Sequence, residues 1–229
     1  MSGDFHRPRS PSGDGLVLTH GAGGSARAPL LVALAEAFRD RGVTVLRYDL
    51  PYRQASPTDP PRPAGAARDR EGLRSAVASM RGLVTGRVFL GGQSYGGRQA
   101  SMLLASEPGL AEALLMLSYP LHPPRRPAEL RTAHLPSLKT PTLFAHGSRD
   151  PFGTLEEIAA ARSLIPARTT LVAVDGAAHD LFRAPRRAGS DIAAEIVSAF
   201  LQFVGAVQRI GGSAGAHRGV RLDSPGACD

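Results

Sequence analysis

This sequence of 229 residues has a single cysteine, no tryptophan and few aromatic residues of any kind. Because Cys228 is the only cysteine, no internal disulfide can form, which fits a reducing compartment. The first residues, 1–15, contain no apolar segment typical of a signal peptide. The chain also contains no run of about 18 apolar residues, which a membrane-spanning helix would need. We therefore expect a cytoplasmic protein with no membrane partner.

Lysine is as scarce as cysteine, with one residue of each, although the chain carries a formal net charge of +7. Lys139 is the only lysine among the 27 basic residues, so the positive charge is carried by arginine. The arginines are scattered rather than clustered, and aromatic residues make up only 5% of the chain. Stacking platforms for nucleic-acid bases need several aromatic side chains in one region. We expect no nucleic-acid partner.

The arrangement of apolar segments predicts one α/β domain. Hydrophobic residues make up 42% of the sequence, and its length is sufficient for a full α/β core. Short apolar runs predict strands over 15–20, 43–48, 87–90, 113–119, 142–145 and 169–174. Amphipathic segments predict helices over 28–41, 66–83, 99–105, 154–164 and 188–207. This alternation predicts a three-layer sandwich with a mostly parallel, doubly wound sheet of about six strands.

The ends of the chain and two internal segments have the composition of loops. Residues 1–14 and 211–229 are rich in Gly, Pro, Ser or Ala and are predicted to be a disordered and a flexible tail around a domain at 15–210. The Pro-rich segments 49–65 and 120–140 are predicted to be long loops, the second with a short helix near 128–133.

The segment Gly92-Gln93-Ser94-Tyr95-Gly96 places a serine between two glycines where a buried strand gives way to a helix. In such a sharp turn, a side chain two residues before or after the serine would collide with the adjoining strand or helix, so glycine is needed there. The hydroxyl then stands above the sheet edge, at the positive end of a helix. The pattern predicts a nucleophile elbow with Ser94 as nucleophile.

An acid and a histidine follow two later strands of the predicted sheet. Asp150 follows the fifth strand and His179 follows the sixth, so Ser94, Asp150 and His179 are all expected at the carboxyl edge. A serine hydroxyl needs an imidazole to take its proton, and the imidazole needs a carboxylate to fix its tautomer. The order serine, acid, histidine is that of α/β hydrolases. Asp175 and Asp49 are the rival acids.

Backbone N–H groups are predicted to complete the catalytic site. The amide of Tyr95, at the start of the helix, and that of Ala22, in a glycine turn, are the expected oxyanion donors. His146 is expected to be a buried, hydrogen-bonded residue. No spacing of His, Cys or carboxylate residues fits a zinc site, and we expect neither a metal nor a cofactor.

The substrate is expected to be a small molecule bound between loops 50–65 and 119–136, which lie beside the site. The candidate substrate contacts are His20, Arg53, Tyr119 and His122. Several arginines in these loops would suit an anionic substrate, although solvated surface residues are the commoner interpretation: Arg53, Arg125, Arg126 and Arg131.

Taken together, these motifs resemble those of the α/β-hydrolase superfamily, more narrowly its small KANL/Tex-type branch, close to dienelactone-hydrolase-like proteins. The resemblance implies Ser94, Asp150 and His179 as nucleophile, acid and base, in a fold without an elaborate cap. The resemblance implies no particular substrate. From the three side chains we expect a serine hydrolase that acts on an ester, thioester or similar acyl bond. The segments that carry the resemblance are 18–24, 46–53, 91–97, 117–124, 147–153 and 176–181.

Two other classes of function remain open at the level of sequence. Gly21-x-Gly23-x-x-Ala26 opens a helix, and Asp49 ends the next strand, as in dinucleotide-binding proteins, where the acid binds a ribose. Saturable binding of a nicotinamide cofactor would establish that alternative. A eukaryotic relative of the resembling branch serves in a chromatin complex, so a catalytically silent scaffold is the third class. The presence of all three catalytic candidates argues against it.

Overall fold

The computed structural model describes residues 3–184 and 187–213, with side chains up to residue 207. Seven strands form one sheet in the order β1-β3-β2-β4-β5-β6-β7. All neighbouring strands are parallel except β1, which pairs antiparallel with β3. The strands are β1 Gly3–His6, β2 Gly15–Thr19, β3 Thr44–Tyr48, β4 Val88–Gln93, β5 Ala113–Leu117, β6 Thr142–Gly147 and β7 Thr169–Val174.

The prediction of a three-layer, mostly parallel sheet is confirmed, with one strand more than expected. That strand, Gly3–His6, falls within the predicted N-terminal tail, so the prediction of disorder was wrong for these residues. The segment is too short and too polar to show a strand pattern. Its pairing is supplied by the otherwise open edge of β3, and Arg47 on β3 bonds His6 at 2.8 Å and Asp4 at 3.2 Å.

Helices cover both faces of the sheet. α1 and α6 pack on one face, and α3, α4 and α5 pack on the other. The helices are α1 Pro29–Asp40, α2 Pro51–Ala55, α3 Ala66–Arg81, α4 Tyr95–Ser106, α5 Leu155–Arg162 and α6 Gly189–Ser213. Every helix except α2 buries apolar residues against the strands. Strands β2 to β6 are themselves almost entirely buried.

Three phenylalanines join the layers of one face. The ring of Phe200 on α6 meets Phe38 of α1 edge-on, with centroids 5.8 Å apart, and Phe89 of β4 at 5.4 Å. All three side chains are fully buried. Edge-to-face pairs of this kind add about 0.5–1.5 kcal/mol each to the free energy of simple burial.

By length and composition, the segment Gly189–Val207 of α6 could cross a membrane, since its mean hydropathy reaches 1.4. In the fold, however, this helix buries Ile192, Ile196, Phe200 and Val204 in the core. A core helix of a soluble domain has the same composition, so the hydropathy does not by itself indicate a membrane span.

The structure modifies two predicted loops and one predicted tail. The loop 49–65 contains α2, whose first residue is Pro51, a residue suited to the first helical position. The expected helix near 128–133 is absent, and a short 3₁₀ turn lies instead at Leu135–Ser137. At the C-terminus, α6 continues to Ser213, three residues into the predicted tail. Residues 214–229 of that tail lie outside the described residues.

Candidate active site

Ser94 occupies the turn between β4 and α4 in a strained backbone conformation, with φ 49°. A Cβ atom at Gly92 would lie 2.6 Å from the Gly96 carbonyl carbon, and one at Gly96 would lie 2.5 Å from the carbonyl oxygen of His20. Larger residues at either position would therefore force the strand and helix apart. The Ser94 N–H donates to the carbonyl of Leu117 at 2.8 Å, which fixes the turn to β5.

Two hydrogen bonds connect the serine, the histidine and the acid. Nε2 of His179 lies 2.8 Å from Oγ of Ser94, and Nδ1 lies 2.8 Å from the nearer oxygen of Asp150. The carboxylate is buried and also accepts the N–H of Phe152 at 2.9 Å. The ring of Phe152 stacks on His179 with centroids 4.1 Å apart. Because a carboxylate only accepts, Nδ1 carries the proton and Nε2 is free to accept one from serine.

Two backbone N–H groups beside Ser94 have no acceptor among the described residues. Tyr95 is the first residue of α4, so its N–H has no intrahelical partner, and Ala22 lies in the loop after β2. Both residues line the same cleft as Ser94 and His179. Free amides at a helix N-terminus and in a tight loop are suited to bind developing negative charge.

Hydrogen bonds to the carbonyl of Gly21 fix the orientation of the Ala22 N–H, because the two groups belong to the same peptide unit. That carbonyl accepts from Nδ1 of His20 at 2.9 Å, from the Gly24 N–H at 3.0 Å and from the Tyr52 hydroxyl at 3.1 Å. In a planar trans peptide the carbonyl of Gly21 and the N–H of Ala22 point in opposite directions. Holding the carbonyl on the protein side therefore holds the N–H on the cleft side.

Helix α2 supplies further hydrogen bonds to the same loop. The Arg53 guanidinium donates to the carbonyl of Ala22 at 3.0 Å and to that of Gly24 at 2.8 Å. The Tyr52 hydroxyl lies 3.0 Å from the Ala22 carbonyl, and burial raises its pKa to about 12, so it stays protonated. The buried Asp69 of α3 accepts from the Tyr52 N–H at 3.1 Å and the Tyr95 hydroxyl at 2.7 Å. Asp69 thus joins α2 to the residue at the start of α4.

Ser94 and His179 open into a cleft of about 630 Å³ at the carboxyl edge of the sheet. One wall is the loop from Gly21 to Gly24. The others come from α4, the segment after β5 and the turns that carry Phe152 and His179. The cleft therefore offers a serine hydroxyl, an imidazole and two free amides to a ligand of moderate size.

A comparison with known protein families identifies the family to which this chain belongs. The model of the alpha/beta hydrolase domain matches residues 13–208, which span strands β2 to β7 and all six helices except the end of α6. The chain belongs to the alpha/beta hydrolase family. The resemblance read from the sequence motifs is thereby confirmed at the level of the superfamily.

Solved structures of other alpha/beta hydrolases share the fold. Est1E from Butyrivibrio proteoclasticus, solved with ferulic acid, superposes with a TM-score of 0.71 at 19% identity, over 90% of this chain and 95% of that one. Dienelactone hydrolase from Anabaena variabilis gives 0.66 at 22% identity, over 87% and 90%. A serine hydrolase without lid from Xanthomonas campestris gives 0.66 at 16%, over 89% and 87%. At such identities the similarity establishes the fold only.

In this alpha/beta hydrolase, none of the four predicted substrate contacts lines the cleft. His20 is fully buried: its Nδ1 donates to Gly21, and its Nε2 accepts from the Leu50 N–H at 3.1 Å. Burial also lowers its pKa, so the ring is neutral. Arg53 is buried behind the Ala22 loop. Both predictions were wrong in the same way, because these polar groups are used to hold backbone carbonyls.

The other two predicted contacts do not line the cleft either. Tyr119 is buried, and its hydroxyl donates to the carbonyl of Arg131 at 2.5 Å. His122 lies between the carbonyl of Pro123 at 2.9 Å and the Glu157 carboxylate at 3.2 Å. Loop 119–136 does form a wall, as expected, but through Pro120 and Arg131. Loop 50–65 forms none among the described residues.

Sequence reasoning missed several residues that do line the cleft: Gln93, Arg98, Phe152 and Asp180. Each stands within four positions of Ser94, Asp150 or His179 in the chain. Arg98 had the clearest signal, since residues four apart share a helix face. No sequence pattern predicted Phe152, because it lies in a turn and not in a periodic element, and that turn stacks its ring on the imidazole of His179.

The rival acids have other partners. Asp175 accepts from the Ser148 hydroxyl at 3.2 Å, and Asp49 accepts the Ala26 N–H at 2.6 Å. Asp49 therefore stabilises the end of the loop that the dinucleotide alternative required for phosphate binding. His146 is fully buried and bonds the Gly153 carbonyl at 2.8 Å through Nε2, as expected.

Proposed function

We propose that this alpha/beta hydrolase is a serine hydrolase that cleaves an ester, thioester or similar acyl bond. The observation that carries the proposal is the continuous chain from Ser94 Oγ through His179 to Asp150, with two contacts of 2.8 Å. Hydrogen-bond distance between nucleophile and base is the geometry that proton transfer needs. A fold alone would not carry it, because one fold hosts many functions.

In the first half of the proposed reaction, Ser94 Oγ attacks the carbonyl carbon and His179 Nε2 takes the hydroxyl proton. The carbonyl oxygen becomes an oxyanion, which the N–H groups of Tyr95 and Ala22 stabilise. His179 then gives its proton to the leaving alcohol or thiol, and the acyl group remains on Ser94. Asp150 keeps the imidazole in the required tautomer and stabilises its cation.

The second half uses water in place of the serine. His179 takes a proton from water as the hydroxide attacks the acyl carbon, and the collapse of the second oxyanion returns that proton to Ser94. The free acid leaves the cleft. No cofactor enters these steps, and the proposed partner is a small acyl substrate in the cytoplasm rather than a nucleic acid or a membrane.

The test is labelling by a fluorophosphonate probe, which forms a covalent bond only with an activated serine. Wild-type protein should label, Ser94→Ala should not, and Ser106→Ala, at an unrelated helix end, should label like wild type. Labelling that survives the Ser94 change would refute the nucleophile. A panel of p-nitrophenyl esters of rising chain length, with lactone and thioester controls, then tests turnover. Absence of both labelling and turnover would favour a silent scaffold.

A further inference from the structure

Two arginines line the cleft beside the nucleophile. Arg98 follows Ser94 by four residues on α4, which is one helical turn, or about 6 Å along the axis. Arg131 reaches the same cleft from the long segment between β5 and β6. A small ligand bound to Ser94 therefore lies within reach of two guanidinium groups.

Neither guanidinium is paired with an acid within residues 3–184 and 187–207. Among the described residues, no carboxylate lies within 4.0 Å of Arg98 or Arg131, whereas other arginines of the fold pair with acids, as Arg87 does with Asp14 at 2.6 Å. The Nε of Arg98 is enclosed and has no hydrogen-bond acceptor in the part of the chain that the structure describes. Asp180 is the only acid among the described lining residues, and it is exposed.

Arg131 is held in place by hydrogen bonds to its backbone carbonyl and from one terminal nitrogen of its guanidinium. Its carbonyl accepts the buried Tyr119 hydroxyl at 2.5 Å, and one terminal nitrogen donates to the Pro120 carbonyl at 3.1 Å. The remaining N–H groups have no acceptor among the described residues. Burial, and after it the charge of Arg98, lower the pKa of Arg131.

The nearby histidine does not relieve this excess of positive charge. His134 binds the Ser101 hydroxyl at 2.8 Å, and burial and the charge of Arg98 lower its pKa to about 4. It is therefore neutral at pH 7 and adds no cation, but it also supplies no anion. Partly buried, unpaired charges are costly, and a guanidinium is satisfied best by a planar group with two oxygens.

We infer that the acyl substrate carries a carboxylate, which binds to Arg98 and Arg131 while its ester carbonyl lies at Ser94. The chemical class is a half-ester of a short dicarboxylic acid. The inference rests on the proposed hydrolysis at Ser94 and narrows its substrate. The reaction is the one given above: the ester C–O bond breaks, water supplies the new oxygen, and the product is a dicarboxylate and an alcohol.

Matched esters test the inference. Methyl hydrogen glutarate bears the carboxylate, and its monoamide, the methyl ester of glutaric acid monoamide, has nearly the same shape without the charge. Release of methanol is measured for both, and for half-esters from malonate to adipate to find the preferred length. We expect kcat/KM to be at least about 10-fold higher for the acid than for the amide.

Variants identify the residues responsible. Arg98→Gln and Arg131→Gln should each lower kcat/KM for the half-ester about 10- to 100-fold, mainly through KM, and change the amide little. Arg98→Lys keeps the charge without the paired N–H groups, so it should recover part of the loss. Arg125→Gln removes an exposed arginine from the same loop and should leave both substrates unchanged. Far-ultraviolet circular dichroism confirms that each variant is folded.

Equal rates for acid and amide in a protein that labels at Ser94 would overturn the inference and leave the proposed hydrolase function intact. Calorimetry of glutarate with Ser94→Ala protein tests the anion site separately from chemistry. Glutarate binding that Arg98→Gln abolishes supports the inference even if no ester is cleaved, in which case the proposed function alone fails. Binding of inorganic phosphate more tightly than glutarate, or of neither, would contradict a carboxylate site.

Discussion

The guanidinium of Arg53 donates a hydrogen bond to the Ala22 carbonyl across 3.0 Å, although 31 residues separate the two in the chain. The same side chain reaches the Gly24 carbonyl at 2.8 Å. Arg53 is thereby tied to the loop that carries Ala22, which lines the same cleft as Ser94. If the Ala22 N–H is the oxyanion donor, as we propose, Arg53 positions that donor and is not a substrate contact.

The first prediction follows from that contact. Arg53→Gln should lower kcat about 10-fold with little change in KM, because a misdirected oxyanion donor acts on the transition state, and removing such a donor altogether costs about 100-fold or more. Affinity for a boronic acid, which mimics the tetrahedral intermediate, should fall in parallel. Arg62→Gln, an exposed arginine in the following loop, is the matched control.

A loss of stability alone would mimic part of this result, so Tyr52→Phe provides a milder variant. It removes one hydroxyl from the Gly21 and Ala22 carbonyls and should also reduce boronic acid affinity. If both variants bind the boronic acid as wild type does, the loop does not depend on α2, and the positioning role is wrong.

The second prediction concerns the acid. Asp150→Asn should lower kcat about 10³- to 10⁴-fold, because an amide favours the wrong tautomer of His179. Asp175→Asn should change kcat little, since Asp175 bonds Ser148 and not His179. Steady-state kinetics with one p-nitrophenyl ester compares the two. Equal losses in both variants would mean that the acid has been misassigned.

The third prediction concerns stability against pH. In the unfolded chain the pKa of His134 returns to about 6.5, whereas burial and the Arg98 charge hold it at about 4 in the fold. Between these values the unfolded chain binds more protons, so stability is full above about pH 6.5 and falls as the pH falls towards 4.

Urea unfolding at pH 7.5 and pH 5 measures this effect. The wild-type free energy of unfolding should be lower at pH 5 than at pH 7.5. Because His134 is only partly buried, we take about half of the stability change that its pKa shift would give, and expect about 1 kcal/mol of this difference to disappear in His134→Gln. Glutamine can keep the hydrogen bond to Ser101. Buried His20 and His146 have lowered pKa values too, and their contribution should persist in the variant. If the difference in free energy of unfolding between the two pH values is the same in His134→Gln as in wild type, His134 does not cause the pH dependence.

The fourth prediction tests the packing of α6. Phe200→Ala should lower the free energy of unfolding by about 3–5 kcal/mol, because it opens a cavity between Phe38 and Phe89. Phe200→Leu should cost less. The exposed Leu83→Ala is the control, with a change near zero. Stability unaffected by Phe200→Ala would show that α6 does not pack on the sheet in solution.

Much of this protein could be predicted from local patterns. Most strands are short apolar runs, and most helices have periodic apolar residues, so the alternation of strands and helices could be predicted. The elbow could be predicted because its pattern is local, and Gly92 lies against Gly96 in the same turn. Gly96 is also required by its close approach to His20, which only the tertiary structure shows. The placement of Asp150 and His179 followed from a rule of parallel sheets: the carboxyl ends of the strands lie at one edge.

The sequence by itself therefore determined the class of fold and the three side chains that meet, since both follow from periodicity and from the direction of the strands. Only the tertiary structure decided which polar residues face the cleft. His20, Arg53 and Tyr119 hold backbone carbonyls instead, whereas Arg98 and Arg131 come together from separate segments. The physical reason is that a buried polar group must find a partner. Which partner is nearest depends on the packing of segments far apart in the chain.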